Sequence, residues 1–152
     1  MYKRQVINLF KGTTGVTDAT TIRHELTHSL EQMMDKDASK SLVKEWGIQV
    51  KAKMKSDQTK EGKAFFKALT DFYANPSLEQ YNALIAALPD QSYYQYVNPS
   101  EYWAVNAEKL LNQKLGNGWD RFKLSIRKLY EGLKSLVGAT NQYALHLSLI
   151  HI

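Results

Sequence analysis

Residues 20–34 read TTIRHELTHSLEQMM, and the prediction of the fold starts from this stretch. Apolar side chains recur in it at helical intervals, at Ile22, Leu26, Leu30 and Met33. These intervals place them on one face of an α-helix, because a helix completes a turn in 3.6 residues. The stretch therefore predicts an amphipathic helix whose apolar face, formed by these four residues, packs against the core.

The same helix carries His24, Glu25 and His28 in the order His-Glu-x-x-His. Positions i and i+4 lie one turn apart on the same face, so the two imidazoles can bind one metal ion. Glu25 is offset around the helix, where it can reach a metal-activated water rather than the ion. The spacing predicts a Zn²⁺ site with Glu25 as general base. The alternative is a surface histidine pair that binds nothing.

A catalytic zinc usually takes three protein ligands and keeps one position for water, so a further ligand is needed. The chain of 152 residues contains no cysteine, which leaves a carboxylate or one of the two other histidines. His146 and His151 lie beside or within a C-terminal end that we interpret below as foreign, and neither is favoured. A carboxylate is therefore the expected third ligand.

Glu101 is the preferred third ligand. It follows Asn98 and Pro99, which are a typical cap and a typical first residue of a helix. In the first turn the helix dipole stabilises a negative charge, so the carboxylate would be fixed and well oriented. The alternative is a first-turn glutamate that only stabilises its own helix. Glu108 is the fallback ligand on the same helix.

The chain as a whole reads as mainly α-helical. The helix that carries the His-Glu-x-x-His motif is expected at about 20–34, and the third-ligand helix at about 99–115. Residues 6–10 are apolar and β-prone, which predicts a short N-terminal strand. The tyrosine-rich residues 92–97 are expected to be extended or irregular. Further helices are expected at 39–53, 64–73, 77–87 and 119–137.

The composition is typical of a globular domain, with 43% hydrophobic and 23% charged residues. A chain of 152 residues is long enough for one hydrophobic core, so residues 6–146 are expected to form a single domain. No apolar run is long enough to span a bilayer, and no signal peptide is recognisable. The formal charge of +5 is spread along the chain, which does not favour nucleic acid as a partner.

Both ends of the chain are interpreted as foreign. Residues 2–5 and 147–152 can be back-translated into one strand, and into the reverse complement, of the transposase end sequence used to prepare sequencing libraries. We therefore expect residues 1–5 and 147–152 to be adapter-derived, and the natural chain to continue in both directions. Without Lys3 and Arg4 the formal charge falls from +5 to +3.

The helix expected at 119–137 has a basic outer side. A solvated face on a packing helix is the first interpretation of such a pattern. The alternative is a helix that contacts a membrane surface or a partner. The residues that form this side are Arg121, Lys123, Arg127, Lys128 and Lys134.

Two stretches of the chain resemble a known family. The apolar run, the short loop and the His-Glu-Leu-Thr-His motif within 6–34 resemble the gluzincin branch of the zincin metallopeptidases. The run Glu101-Tyr102-Trp103-Ala104, within 98–111, resembles the downstream helix that completes the metal site in that branch. Within this branch, the two stretches resemble the zincin-like metallopeptidase domain of large polyvalent proteins of phages and related mobile elements.

The resemblance implies a zinc-dependent metallopeptidase that hydrolyses peptide bonds in a polypeptide substrate. His24, His28 and Glu101 would bind the zinc ion, and Glu25 would activate the water. The resemblance also implies one module of a longer, phage-encoded chain, which we expect to act in the cytoplasm of the host cell.

Two parts of such a site are not identified by a motif. Val105 and Asn106 stand where some gluzincins carry an aspartate that orients a histidine, so the orienting residue stays open. Peptide hydrolysis also needs a hydrogen-bond donor to the developing oxyanion. Tyr93, Tyr94 and Tyr96 precede the third-ligand helix and are the candidates. The alternative is a tyrosine-rich loop that packs or lines a substrate groove.

Two other functions stay open. The first is a helical binding or structural module of a phage polyvalent protein that has lost or reassigned its activity. The second is a phage effector whose basic C-terminal helix contacts nucleic acid or a membrane. If the chain is a peptidase, the strand expected at 6–10 could also bind a substrate peptide by edge pairing.

Overall fold

The computed structural model describes residues 19–137, which are mainly helical and contain no β-strand. The prediction of a mainly α-helical chain is confirmed for this range. The strand expected at 6–10 and the ends interpreted as foreign lie outside it. In chain order the helices are α1 (Ala19–Glu31), α2 (Lys36–Ser56), α3 (Lys60–Ala74), α4 (Leu78–Ala86), a 3₁₀-helix (Gln91–Tyr96), α5 (Pro99–Leu111) and α6 (Trp119–Val137).

α1 is shorter than the predicted helix at 20–34 because α2 begins almost directly after it. The amides of Met33 and Met34 donate only to carbonyls three residues back, which is the geometry of a turn. Asp35 then caps α2, since its Oδ1 accepts a 2.8 Å hydrogen bond from the amide of Ala38. The cap directs the chain into a new helix, so α1 ends at Glu31.

α5 ends at Leu111, earlier than predicted. In a continued helix the carbonyl of Leu110 would accept from the amide of Lys114. It accepts instead from the amide of Gln113, at 3.1 Å, which is the spacing of a turn, and from Trp119 Nε1, at 3.0 Å, across the turn that leads to α6. Gly118, with φ of 80°, supplies the left-handed backbone of this turn. A backbone turn and a buried indole from the next helix therefore occupy the last carbonyls of α5, which ends there.

Residues 92–97, expected to be extended or irregular, lie mostly in the 3₁₀-helix. Asp90 starts this helix, because its Oδ1 accepts a 2.8 Å hydrogen bond from the amide of Ser92. The ring of Tyr93 is 6% exposed and packs edge-on against Phe65, with 5.3 Å between the ring centroids. A side-chain cap and a buried ring thus make this stretch helical.

Two clusters of buried side chains hold the helices together, and α2 contributes to both. Trp46 of α2 packs against each cluster, and its Nε1 donates a 3.2 Å hydrogen bond to the carbonyl of Tyr96. The first cluster consists of Ala38, Leu42, Tyr102, Trp103, Ala107, Leu110, Leu111, Trp119, Phe122 and Ile126. The second cluster consists of Val50, Phe65, Phe66, Leu69, Leu84, Tyr93 and Val97.

The buried face of α1 differs from the prediction. Leu26 and Met33, expected in the core, are 39% and 37% exposed. Thr27 is fully buried instead, and Leu30 packs against the first cluster. The reason is that α1 packs along α5 through the side that contains Thr27, which turns Leu26 outward.

The apolar side chains that α6 buries fully lie toward its start. Trp119, Phe122 and Ile126 belong to the first cluster, whereas Leu129 and Leu133 are 38% and 39% exposed. The apolar pattern therefore predicted the helix correctly, but only part of its apolar face is covered. Within residues 19–137, no helix combines the length and apolar character needed to cross a bilayer.

Candidate metal centre

A buried hydrogen bond joins α1 and α5 within the His-Glu-x-x-His motif. Trp103 Nε1 donates to the carbonyl of Thr27 at 2.7 Å, and both residues are fully buried. The hydroxyl of Thr27 donates in turn to the carbonyl of Arg23 at 2.7 Å, so its polar atom is satisfied within α1. These bonds set the position of His28, the next residue, relative to α5.

Glu101 faces α1 because of the way in which α5 begins. Asn98 is the cap, as predicted: its Oδ1 accepts a 2.8 Å hydrogen bond from the amide of Glu101. Pro99 occupies the start of the helix, which confirms the second part of that prediction. The Glu101 side chain lies in the first turn and is 16% exposed, and it points toward the imidazoles of α1.

Three potential ligand atoms meet between α1 and α5. His24 Nε2 lies 3.1 Å from His28 Nε2, and Glu101 Oε2 lies 3.2 Å from the first and 3.5 Å from the second. Zinc bonds of about 2.0–2.1 Å at tetrahedral angles place neighbouring ligand atoms about 3.3 Å apart. The three measured separations therefore fit one face of such a tetrahedron.

The buried carboxylate of Glu101 also fits a metal ion. Its Oε2 lies close to both imidazoles, yet it is buried and neither contact has the geometry of a hydrogen bond. A buried polar atom without a partner is costly and rare. A cation between His24, His28 and Glu101 would satisfy this oxygen, and two imidazole nitrogens with one carboxylate are a typical donor set for Zn²⁺.

His28 and Glu101 stabilise each other's charges. The contact with Glu101, followed by that with Glu31, raises the pKa of His28 to about 9, although burial opposes the charged imidazole. Burial favours the neutral form of Glu101, but its contacts with His28 and His24 outweigh this effect and lower the pKa of its carboxyl. A metal ion bound here would have to displace the proton from His28 Nε2.

An open cleft of about 720 Å³ lies over these side chains. Glu25 lines it from α1, and Tyr94 lines it from the 3₁₀-helix. Burial, and next the charge of Glu101, raises the pKa of Tyr94, so its phenol keeps its proton and stays a donor. The residues that line the cleft are His24, Glu25, His28, Glu31, Gln32, Ser39, Tyr94, Asn98, Ser100 and Glu101.

The three tyrosines considered as oxyanion donors occupy different surroundings. Tyr94 lines the cleft. Tyr93 is buried in the second cluster against Phe65, and the ring of Tyr96 packs against Phe66 with 6.2 Å between centroids. Aromatic packing, the alternative interpretation of this stretch, describes Tyr93 and Tyr96. Of the three, Tyr94 is the one that lines the cleft, and it also packs against the second cluster.

Glu108, the fallback ligand, lies apart from the histidines. Its side chain is 57% exposed and pairs with Arg23 at 3.0 Å on the surface of α1 and α5. Glu101 rather than Glu108 is thus the α5 carboxylate next to the motif. His146 and His151 lie outside the described residues.

Ser100 and Glu31 contact His28 and were not identified from the sequence. Ser100 Oγ lies 3.0 Å from His28 Nδ1 and donates a hydrogen bond to Glu31 Oε2. One signal for Glu31 was present, because a residue three positions after His28 shares its helix face. Ser100 directly precedes Glu101, but the packing of α5 on α1 that brings it to the imidazole is not visible in the sequence.

The fold and the site define a helical protein with a candidate metal centre formed by two histidines and a glutamate. Comparisons with models of protein families, with curated proteins and with solved structures found no match to this chain. Its function must therefore be inferred from its own residues.

Proposed function

We propose that this protein is a zinc-dependent metallopeptidase, of the zincin-like class found in phage polyvalent proteins. The observation that carries the proposal is the convergence of His24 Nε2, His28 Nε2 and Glu101 Oε2 at separations of 3.1 to 3.5 Å. Three protein ligands beside an open cleft are typical of a catalytic zinc site, because a structural site is closed by a fourth protein ligand. The cleft also leaves room for a polypeptide substrate.

The residues around the ligands have the groups that peptide hydrolysis needs. Zinc, when bound, supplies a Lewis acid that activates water and polarises a carbonyl. Glu25 takes a proton from the attacking water and passes a proton to the leaving amine. Tyr94 donates a hydrogen bond to the carbonyl oxygen of the substrate as negative charge develops on it.

Zinc binding by two matched glutamate variants tests the ligand set. The parent protein should bind one zinc ion per chain. Glu101→Gln should weaken binding by more than about 100-fold, beyond the loss typical of groups that only support a ligand. Glu108→Gln is the control, because it makes the same substitution on α5 at an exposed residue, and it should bind zinc like the parent. A parent protein that binds no zinc contradicts the proposal.

Peptide cleavage tests the general base. Glu25→Gln should keep the zinc affinity of the parent but cleave a peptide library about 10²–10⁴-fold more slowly, the range expected for loss of a general base. Glu108→Gln again serves as the control and should cleave normally. Equal cleavage by Glu25→Gln and the parent would remove Glu25 from the mechanism.

The surface of α6 favours a second candidate function, a binding module that acts through this helix. Leu129 and Leu133 are 38% and 39% exposed, and Arg127 and Lys128 beside them are exposed as well. Retention on DNA with a steep salt dependence, lost when Arg127 and Lys128 are changed to Ala, would favour this function. Retention on DNA that does not change with salt concentration would count against this function.

A further inference from the structure

We infer that Ser100 and Glu31 are positioning residues that hold the His28 ring in the tautomer and orientation needed to bind a metal through Nε2. The inference rests on the proposed metal site. Ser100 and Glu31 thus favour metal binding through His28, and neither residue contacts the ion itself.

Ser100 and Glu31 lie on the side of the His28 imidazole that is opposite the ligand atoms. Ser100 Oγ lies 3.0 Å from His28 Nδ1 and donates to Glu31 Oε2. His28 Nε2, across the ring, lies 3.1 Å from His24 Nε2. The side chains of His28 and Glu31 are 15% and 29% exposed, so bulk water only partly reaches this arrangement. Nδ1 of the ring is thus held by Ser100, while Nε2 faces the ligand atoms of His24 and Glu101.

The single proton of the serine hydroxyl decides the direction of these hydrogen bonds. Because this proton points at the Glu31 carboxylate, Ser100 Oγ offers only lone pairs to His28 Nδ1. Nδ1 must then carry a proton, which leaves Nε2 as the nitrogen that can bind a metal. In the opposite tautomer, Nδ1 and the Glu31 carboxylate would compete for one proton, and one of the two would stay unsatisfied.

The same contacts tie the ring to both helices that carry the ligands. Glu31 ends α1, one turn after His28, whereas Ser100 lies in the first turn of α5 directly before Glu101. A shift of α5 would therefore move Glu101 together with Ser100, the residue that holds the His28 ring. A ring held in this way loses little further freedom when it binds a metal, which favours binding.

Val105 and Asn106, which stand where some gluzincins carry an orienting aspartate, do not fill this role. Val105 is 53% exposed. Asn106 Nδ2 donates to Gln95 Oε1 and to the carbonyl of Tyr102, both at 2.9 Å, rather than to an imidazole. The orienting hydrogen bond comes instead from the start of α5.

Titration with Zn²⁺ alone tests the inference in Ser100 variants. Ser100→Ala should bind zinc about 10–100-fold more weakly than the parent, the loss typical of such outer partners. Ser100→Thr keeps the hydroxyl and should restore most of the affinity. The matched control is Ser39→Ala, because Ser39 lines the same cleft at an exposed position. Equal affinities for Ser100→Ala and the parent would overturn the inference.

NMR provides a readout that a merely structural serine would not change. In the zinc-loaded, ¹⁵N-labelled parent, the His28 Nδ1 proton should exchange slowly with water, and Ser100→Ala should abolish the slow exchange. A parent in which His28 binds zinc through Nδ1 overturns the inference. If Ser100→Ala does not fold, Glu31→Ala removes the other end of the hydrogen-bonded pair. A zinc affinity of Glu31→Ala equal to that of the parent would also overturn the inference.

The outcomes separate this inference from the proposed function. A parent protein that binds zinc with the dependence on Ser100 described above, but cleaves no peptide, contradicts the peptidase and leaves the positioning role intact. A parent protein that binds no zinc removes the site on which both depend.

Discussion

Trp103 and Thr27 are joined by a fully buried hydrogen bond of 2.7 Å between the indole nitrogen and the backbone carbonyl. Thr27 lies inside the His-Glu-x-x-His motif, and Trp103 follows Glu101 by two residues. One bond between neighbours of the ligands therefore sets the separation of the two helices that carry them. The distance between the histidines and the glutamate follows from this packing.

Replacing Trp103 by Phe should lower stability and zinc affinity together. The hydrogen bond to Thr27 contributes about 0.5–1.5 kcal/mol, and the smaller ring leaves unfilled space in the first cluster that adds to the loss. Urea unfolding measures the first effect, and zinc titration of the same sample measures the second.

Trp46→Phe is the matched control for this prediction. Trp46 Nε1 also donates to a backbone carbonyl of another helix, that of Tyr96, at 3.2 Å. Its loss should reduce the free energy of unfolding without changing zinc affinity. If Trp103→Phe binds zinc as tightly as Trp46→Phe, the bond to Thr27 does not set the ligand separation.

Tyr94→Phe should reduce kcat for peptide hydrolysis by about 10²–10³-fold, the loss expected for one oxyanion donor. Zinc affinity should not change, because the phenol is not among the ligand atoms. Steady-state kinetics on a peptide substrate measure the effect. The control is Tyr96→Phe on the same 3₁₀-helix, where the ring packs against Phe66. Similar losses in both variants would implicate the helix as a whole rather than the Tyr94 hydroxyl.

His28 should titrate near pH 9 in protein stripped of metal, because its contacts with Glu101 and Glu31 raise its pKa from 6.5. The folded-state pKa is then higher than the unfolded one. The resulting stabilisation is fully present below pH 6.5 and is lost as the pH rises through about 9. An NMR titration of the imidazole gives the midpoint, and urea unfolding at several pH values gives the stability.

Glu101→Gln provides the comparison for this titration. Removing the carboxylate charge should move the His28 midpoint toward 6.5 and flatten the loss of stability above that pH. A midpoint near 6.5 in the parent itself would show that His28 and Glu101 do not interact as described.

Gly118→Ala and Gly132→Ala should change stability in opposite directions. Gly118 has φ of 80°, and a Cβ there would lie 2.7 Å from the amide nitrogen of Ala38, so the substitution should cost at least about 1–3 kcal/mol. Gly132 lies within α6, where a Cβ would meet no atom within 4 Å, and alanine should add about 0.5–1 kcal/mol. Equal unfolding free energies for the two variants would contradict the strain at Gly118.

The sequence by itself determined the local features of this protein. His24 and His28 share a helix face because of the helical period, and Asn98 caps α5 because its side chain reaches the amide of Glu101. The mainly helical class followed from the same kind of pattern. All of these interactions join residues at most four positions apart, so neighbouring residue types are sufficient to predict them.

The tertiary structure alone decided which residues meet across the helices. Thr27 rather than Leu26 is buried on α1, and Ser100 contacts His28 across 72 positions of sequence. The sequence ranked Glu101 before Glu108, but only the packing of α5 on α1 places the Glu101 carboxylate beside the histidines. A periodic pattern shows that side chains share a face, but it does not show what packs against that face. Here the buried packing of α5 on α1 made that choice.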